Sequence, residues 1–275
     1  MALTQENISS PLILTAENMQ EPRCFANESF DFSIFTCSCP SDKKTNEDSA
    51  TIITNGSGRS LIAVADGLGG ARGGSKASGI AIEKLNSNLK SQVKTKNDIR
   101  LGILDSFESA NKGVLDLGIG AGTTLSVFET GQNYVRPYHV GDSLMMVVSQ
   151  KGTIKYQNTF HSPVGYAIES GFINEKEALH HDERHIVSNI VGSSDMTIEV
   201  GPKIELSKKD TILVASDGLA DNISPKEIAE HIRKGQILDA SQALCEATLE
   251  RMTNPKKGAP SKPDDLTFIL CRTKN

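Results

Sequence analysis

The chain has 275 residues, 37% hydrophobic and 23% charged, with a formal net charge of −5; this is the composition of a soluble globular protein. Its clearest basic stretch, Lys256–Lys257 with Lys262, is too short for the basic face of a nucleic-acid binder, and no apolar run reaches the length of a membrane span. The first thirty residues carry Glu6, Glu17, Glu21, Arg23 and Glu28 and lack a basic start followed by an apolar stretch, so a secretory leader is not expected. The five cysteines, Cys24, Cys37, Cys39, Cys245 and Cys271, show no zinc spacing and read as free thiols, which predicts a reducing cytoplasmic setting.

Residues 1–29 are polar and weakly patterned, and read as an N-terminal extension with one edge element. The remainder, 30–275, reads as one catalytic domain without an internal linker. Phe30–Cys37 alternates as a strand. Ala50–Thr54 and Leu61–Ala65 are strands around Asn55–Gly56–Ser57–Gly58, and Asn-Gly between β-prone runs is a hairpin signal. Two helices follow. Ala77, Ala81, Leu85, Leu89 and Val93 recur every four residues, and Ile99, Ile103, Phe107, Ala110, Val114 and Leu117 mark one face of a second helix, capped by Asn97 or Asp98. An antiparallel helix pair is expected. Thr123–Phe128, Tyr134–Val140 and Leu144–Ser149 are further strands, as are Thr211–Ala215 and Leu266–Arg272. Ser224–Pro225–Lys226–Glu227 opens a helix, with serine as cap, proline at the first helical position and glutamate closing the box. Asp239–Met252 is a last helix, and Asn254–Pro263 a Pro/Lys/Gly loop. Strands and helices do not alternate regularly, which argues for an α+β fold with antiparallel sheets.

Acidic residues recur at the ends of apolar strands. Asp66 follows Leu61–Ala65 and precedes Gly67. Asp217 follows Thr211–Ser216 and precedes Gly218. Asp142 sits in a Gly-Asp-Ser turn, Asp264 and Asp265 precede the last strand, and Glu47 and Asp48 precede another. Any single Asp-Gly is ordinary turn chemistry. The whole set is not explained that way, because half-desolvated carboxylates are costly without compensation. Hard divalent cations supply it, since Mg²⁺ and Mn²⁺ take oxygen ligands. Gly67 lets the backbone approach a ligand, so that its carbonyl can coordinate. The loop around Arg72 is Gly-rich but no P-loop, because no Gly-Lys-Ser/Thr follows.

These residues fall into short motifs in a fixed order: Asn46–Glu47–Asp48, Ala65–Asp66–Gly67–Leu68–Gly69–Gly70, Gly122–Thr123–Thr124, Val140–Gly141–Asp142–Ser143, Ser216–Asp217–Gly218–Leu219 with Asp221, and Asp264–Asp265–Leu266–Thr267. The series resembles the metal-dependent protein phosphatases of type 2C, and most closely their bacterial single-domain members. The resemblance implies a four-layer α-β-β-α sandwich, two antiparallel sheets flanked by helix pairs, with metals at one end. It implies a protein serine/threonine phosphatase that hydrolyses phosphoserine and phosphothreonine by in-line attack of a metal-bridging hydroxide at a dinuclear Mg²⁺ or Mn²⁺ site. By the same resemblance Asp66 and Asp217 are the catalytic carboxylates, and Asp66 bridges both ions. The Gly67 carbonyl with Asp48 or Glu47 serves the second ion, partly through water. Asp217 and Asp264 hold the first, and Asp142 with Asp217 a third, looser ion. Asp265 is a neighbour rather than a ligand, and Thr123 and Thr124 shape the site.

Three positions depart from the family pattern. Lys43 stands where the family has its phosphate-binding arginine, keeping the charge and losing the bidentate fork. Leu68 replaces a histidine proposed elsewhere as general acid, and Leu144 replaces a frequent arginine. Phe160–Asn189 lies where the family has a flap, and its His180–His181–Asp182 reads as surface rather than as a metal site. The expected partners are a phosphoprotein substrate and a cognate Ser/Thr kinase pathway, with no nucleic acid, no membrane and a monomeric chain. Alternatives are a catalytically weak regulatory or binding protein on the same fold, and a hydrolase of small phosphoesters.

Overall fold

A computed structural model describes residues 6–7, 11–41, 45–54, 58–68, 73–89, 99–131, 133–178, 181, 183, 186–256 and 258–274. Two seven-stranded sheets dominate. The first contains β1 (Glu6–Asn7), β3 (Arg23–Ala26), β4 (Phe30–Cys37), β11 (Leu144–Val148), β12 (Ile154–Gln157), β15 (Thr211–Ala215) and β16 (Leu266–Thr273), in the order β1-β3-β4-β16-β15-β11-β12. The second contains β2 (Leu12–Thr15), β5 (Ser49–Thr54), β6 (Ser60–Ala65), β9 (Leu125–Thr130), β10 (Tyr134–Val140), β13 (Glu199–Val200) and β14 (Ile204–Glu205). Its order is β13-β10-β9-β6-β5-β2, with β14 also on β10. All pairings are antiparallel except β1 with β3. A two-stranded ribbon, β7 (Gly67–Leu68) with β8 (Gly122–Thr123), continues from the end of β6.

Strand alternation distributes the core over three interfaces. On β6, Leu61, Ala63 and Ala65 face α1 (Gly74–Leu89) and α2 (Arg100–Leu115), whose Ala77, Ala81, Leu85, Ile103 and Phe107 complete that cluster. Ile62 and Val64 face the other way and meet Val147, Ile212, Val214 and Ile269 between the sheets. On β15, Leu213 and Ala215 turn outward to α6 (Pro225–Ile232) and α7 (Ile237–Thr253). The result is the expected four-layer α-β-β-α sandwich. Strands buried on both faces explain why these runs are nearly continuous in apolar residues.

The sequence expectations meet the structure unevenly. The hairpin forms, with Ser49–Thr54 in register against Ser60–Ala65, although Asn55–Ser57 lie outside the described residues. The expected helix pair packs together. The helix face expected to reach Val93, and the caps Asn97 or Asp98, fall outside the described residues, and Ile99 precedes α2. Where one edge element was expected before residue 30, three strands pair, one into the second sheet and two into the first. They are short, two to four residues each, and lie at or next to a sheet edge, where alternation gives little signal.

The capping box forms as expected. Ser224 Oγ accepts from the Glu227 N–H, and the Glu227 carboxylate accepts from the Ser224 N–H at 3.1 Å. Ser224→Ala should remove about 1 kcal/mol of stability, seen as a melting point lower by about 2–4 °C in differential scanning calorimetry, with activity unchanged.

Candidate metal centre

Six carboxylates gather at one end of the sandwich: Asp48, Asp66, Asp142, Asp217, Asp221 and Asp264. Asp66 and Asp142 follow strands, Asp48 and Asp264 precede them, and Asp217 opens and Asp221 closes the short helix after β15. Asp66 stands between β6 and β7, and its backbone is fixed on both sides. Its N–H donates to Thr124 Oγ1 at 2.9 Å, while its carbonyl accepts from the Thr124 N–H at 2.9 Å and from Thr123 Oγ1 at 2.8 Å. The Thr124 hydroxyl also meets Ser143 Oγ at 2.7 Å, which ties this strand end to the turn carrying Asp142. That turn requires glycine: Gly141 has φ +109°, and a Cβ there would lie 2.5 Å from the Thr124 side chain.

Asp217 opens α5 (Asp217–Ala220), and its N–H points at Asp66 Oδ2, 3.4 Å away. Gly218 is also obligatory, since a Cβ would fall 1.9 Å from the Asp265 carbonyl oxygen. Asn46 orients Asp48: its side chain accepts from the Asp48 N–H at 3.0 Å and donates to Thr36 Oγ1 at 2.8 Å. Asp265 uses both oxygens on backbone, accepting from Cys39 N–H at 2.8 Å and Glu47 N–H at 2.6 Å. Gly67 packs so closely on the start of α1 that a Cβ would lie 2.4 Å from the Gly74 carbonyl carbon. The Glu47 carboxylate also reaches Gly74, 2.7 Å from where a Cβ there would be.

The electrostatics are those of anions forced together. Burial pushes Asp66 well above the ordinary carboxylate range, and the charges of Asp48, Asp217, Asp142 and Asp264 push it further. Asp48 rises mainly through burial, although Thr267 and Ser216 hydrogen-bond to it. Asp142 is pushed up to about 7 by burial and by Asp217 and Asp221. Asp217 and Asp264 are also raised, burial leading in each. Asp48 Oδ2, fully buried, has no hydrogen-bond partner among the described residues. An acceptor-only oxygen in that position calls for a cation, and a set made only of oxygens suits a hard one.

The tightest trio of metal-capable side chains among the described residues lies elsewhere: His139, His161 and Glu199, with ligand atoms within 4.8 Å of one another. Its hydrogen bonds argue against a metal. His139 Nε2 donates to the Thr159 carbonyl at 3.0 Å. His161 Nδ1 accepts from the Gly141 N–H at 3.1 Å and lies 2.9 Å from the Asn189 amide nitrogen. Its proton is thereby placed on Nε2, toward Glu199 at 3.1 Å. Neither ring turns a lone pair to Glu199, and burial with the neighbouring His161 lowers His139 to about 4, so it is neutral. The trio braces the Gly141–Asp142 turn. His181 is exposed, while His180 and Asp182 lie outside the described residues.

With this geometry in place, comparison with known proteins is decisive. Residues 38–254 match the family model of protein phosphatase 2C. The chain belongs to the protein phosphatase 2C family. Protein phosphatase PhpP of Streptococcus pneumoniae is 31% identical over 238 residues, covering 83% of this chain and 92% of that protein. Serine/threonine phosphatase stp of Listeria monocytogenes is 28% identical over 82% of this chain and 89% of its own length. The solved serine/threonine phosphatase of S. agalactiae superposes with a TM-score of 0.74 at 28% identity, covering 88% of this chain and 98% of that one.

Within this phosphatase 2C chain, the structure brings Asp48, Asp66, Asp142, Asp217 and Asp264 together, and places Glu47 and the Gly67 backbone at the α1 side of the group. Lys43, the expected phosphate contact, lies outside the described residues, as does Arg72. Sequence reasoning missed Lys262. Its Nζ lies 2.7 Å from Asp217 Oδ2, 2.9 Å from Asp221 Oδ2 and 3.0 Å from Asp264 Oδ2. The available signal was its place two residues before Asp264. Burial pushes the Cys37 thiol up to about 12, and Cys24, Cys245 and Cys271 are also raised by burial, so none of these four supplies a thiolate nucleophile.

Proposed function

We propose that the carboxylate cluster is the centre of a metal-dependent protein serine/threonine phosphatase acting on phosphoserine and phosphothreonine. The observation that carries the reading is Asp66, fixed on both backbone sides and repelled by four other carboxylates, a placement that bound cations make favourable for the ionised group. Two Mn²⁺ or Mg²⁺ ions bound there would supply an activated water and offset charge on the phosphoryl oxygens. The chain's part is positioning. Asp66 lies at the middle of the group, with Glu47 and the Gly67 carbonyl on the α1 side, Asp48 beside Thr267 and Ser216, and Asp217 and Asp264 around Lys262. Thr123 and Thr124 hold Asp66 in place, and Asp142 approaches from the turn braced by His161. Lys43 would meet the substrate phosphate. The remaining proposals are a cytoplasmic, monomeric protein acting opposite a Ser/Thr kinase; among the described residues, no helix is long and apolar enough to cross a membrane.

Hydrolysis of a phosphothreonine peptide in EDTA, then with Mn²⁺ or Mg²⁺, tests the reading. Wild type should be silent in EDTA and active with metal, and Asp217→Asn should be inactive throughout. A folded wild type that cleaves nothing at any metal concentration would sink the catalytic claim and favour a regulatory protein on this fold.

A further inference from the structure

Lys262 is not a loose surface lysine. The side chain of Asn222, itself fully buried, clamps its backbone on both sides: Asn222 Oδ1 accepts from the Lys262 N–H at 2.9 Å, and Asn222 Nδ2 donates to the Lys262 carbonyl at 2.8 Å. Asn222 Nδ2 also donates to the Gly218 carbonyl at 2.8 Å, so the lysine backbone is tied to the turn that carries Asp217 and Asp221. The neighbouring Ser261 hydroxyl donates to the Arg251 carbonyl at 2.9 Å. From this anchored base the ammonium reaches three carboxylates at 2.7 to 3.0 Å, donating to Asp217 Oδ2 and ion-paired with Asp221 and Asp264. Asp142 feels the same charge.

We propose that Lys262 is a tethered cation that takes the place of a third divalent ion among Asp142, Asp217, Asp221 and Asp264, so that this chain binds two metal ions and no more. The inference rests on the metal-centre reading above. A lysine supplies one positive charge at fixed concentration and cannot be chelated away. A divalent ion at the same place would bring two charges and exchange with solvent. The side chain is a positioning group: it holds Asp217, Asp221 and Asp264 at mutual distances their own repulsion opposes.

The test is a count of bound Mn²⁺ by isothermal titration calorimetry, with electron paramagnetic resonance of free Mn²⁺ as a second readout, on wild type, Lys262→Gln, Lys262→Ser and Lys262→Arg. Wild type and Lys262→Arg should bind two ions per chain, and Lys262→Gln and Lys262→Ser three. In EDTA the two neutral variants should melt below wild type and recover in Mn²⁺, because an ion then restores the lost charge. Three ions in wild type, or two in both neutral variants, overturns the proposal; so does failure of both neutral variants to fold in saturating Mn²⁺. Absence of binding in wild type would instead overturn the metal-centre reading beneath it.

Discussion

Asp66→Asn is expected to move stability and activity in opposite directions. Without metal, at a pH above the raised titration range of Asp66, the substitution removes the charge that four neighbouring carboxylates oppose, while keeping the shape and the backbone bonds to Thr123 and Thr124. The metal-free protein should therefore gain roughly 1–3 kcal/mol, the scale of relieving an uncompensated buried charge, visible as a higher melting point in EDTA. With Mn²⁺ the sign reverses. Asparagine offers one neutral oxygen where a carboxylate can bridge, and turnover of a phosphothreonine peptide should fall by about a thousandfold or more, the scale of losing a main electrostatic element. Parallel melting curves in EDTA and Mn²⁺, together with steady-state rates, check both halves. A variant less stable than wild type in EDTA would contradict the reading of Asp66 as an anion opposed by its neighbours.

The second large effect is the pH dependence of the metal-free chain. Folding favours the protonated form of Asp142, raising its pKa from 3.8 to about 7. Stability from this group is fully present below the unfolded value and is lost as pH rises through about 7. Asp48, Asp66, Asp217 and Asp264 are shifted in the same direction and add to the loss. Asp142 alone corresponds to roughly 4 kcal/mol over that window, or on the order of 10 °C in melting point for a chain of this size. Saturating Mn²⁺ should reverse the slope, because metal ligands must be deprotonated to bind. Melting temperatures measured from pH 4.5 to 8.5, with EDTA and with Mn²⁺, should coincide at the acid end and separate as pH rises, the Mn²⁺ curve lying higher. Parallel curves would show that the cluster does not bind metal as a unit.

Much of this was legible in the sequence where one local cause acts alone. Ser224–Pro225–Lys226–Glu227 carries its own hydrogen-bond partners, so the start of α6 is written in four residues. The helix faces of Ala77, Ala81 and Leu85 and of Ile103, Phe107 and Ala110 repeat often enough to be read. The acidic strand ends stood out because desolvated carboxylates are rare without a purpose. Other features depend on partners far along the chain. In β12, Ile154–Lys155–Tyr156–Gln157 alternates over only four residues, and its place at the sheet edge comes from pairing with β11. Lys262 sits in a loop rich in proline, glycine and lysine, where a cation signals nothing. Its meaning comes from Asn222, forty positions earlier, and from three aspartates brought to it by the fold. His161 looked like one of several flap histidines. Its contact with Gly141, which sets the turn before Asp142, cannot be inferred from spacing.

The position of β16 has a consequence for the protein during synthesis. This strand lies between β4 and β15 in the middle of its sheet, and the residues leading into it supply Asp264 and the Asp265 carboxylate that gathers Cys39 and Glu47. Asp265 and Cys39 are 226 positions apart. While the ribosome still holds residues 262–273, β4 and β15 face an open slot, and the acidic group lacks Asp264 and the cation of Lys262. A nascent chain therefore carries an incomplete carboxylate group until this segment is free to insert, so the cluster is closed by contacts of long sequence separation rather than built up piece by piece as the chain grows.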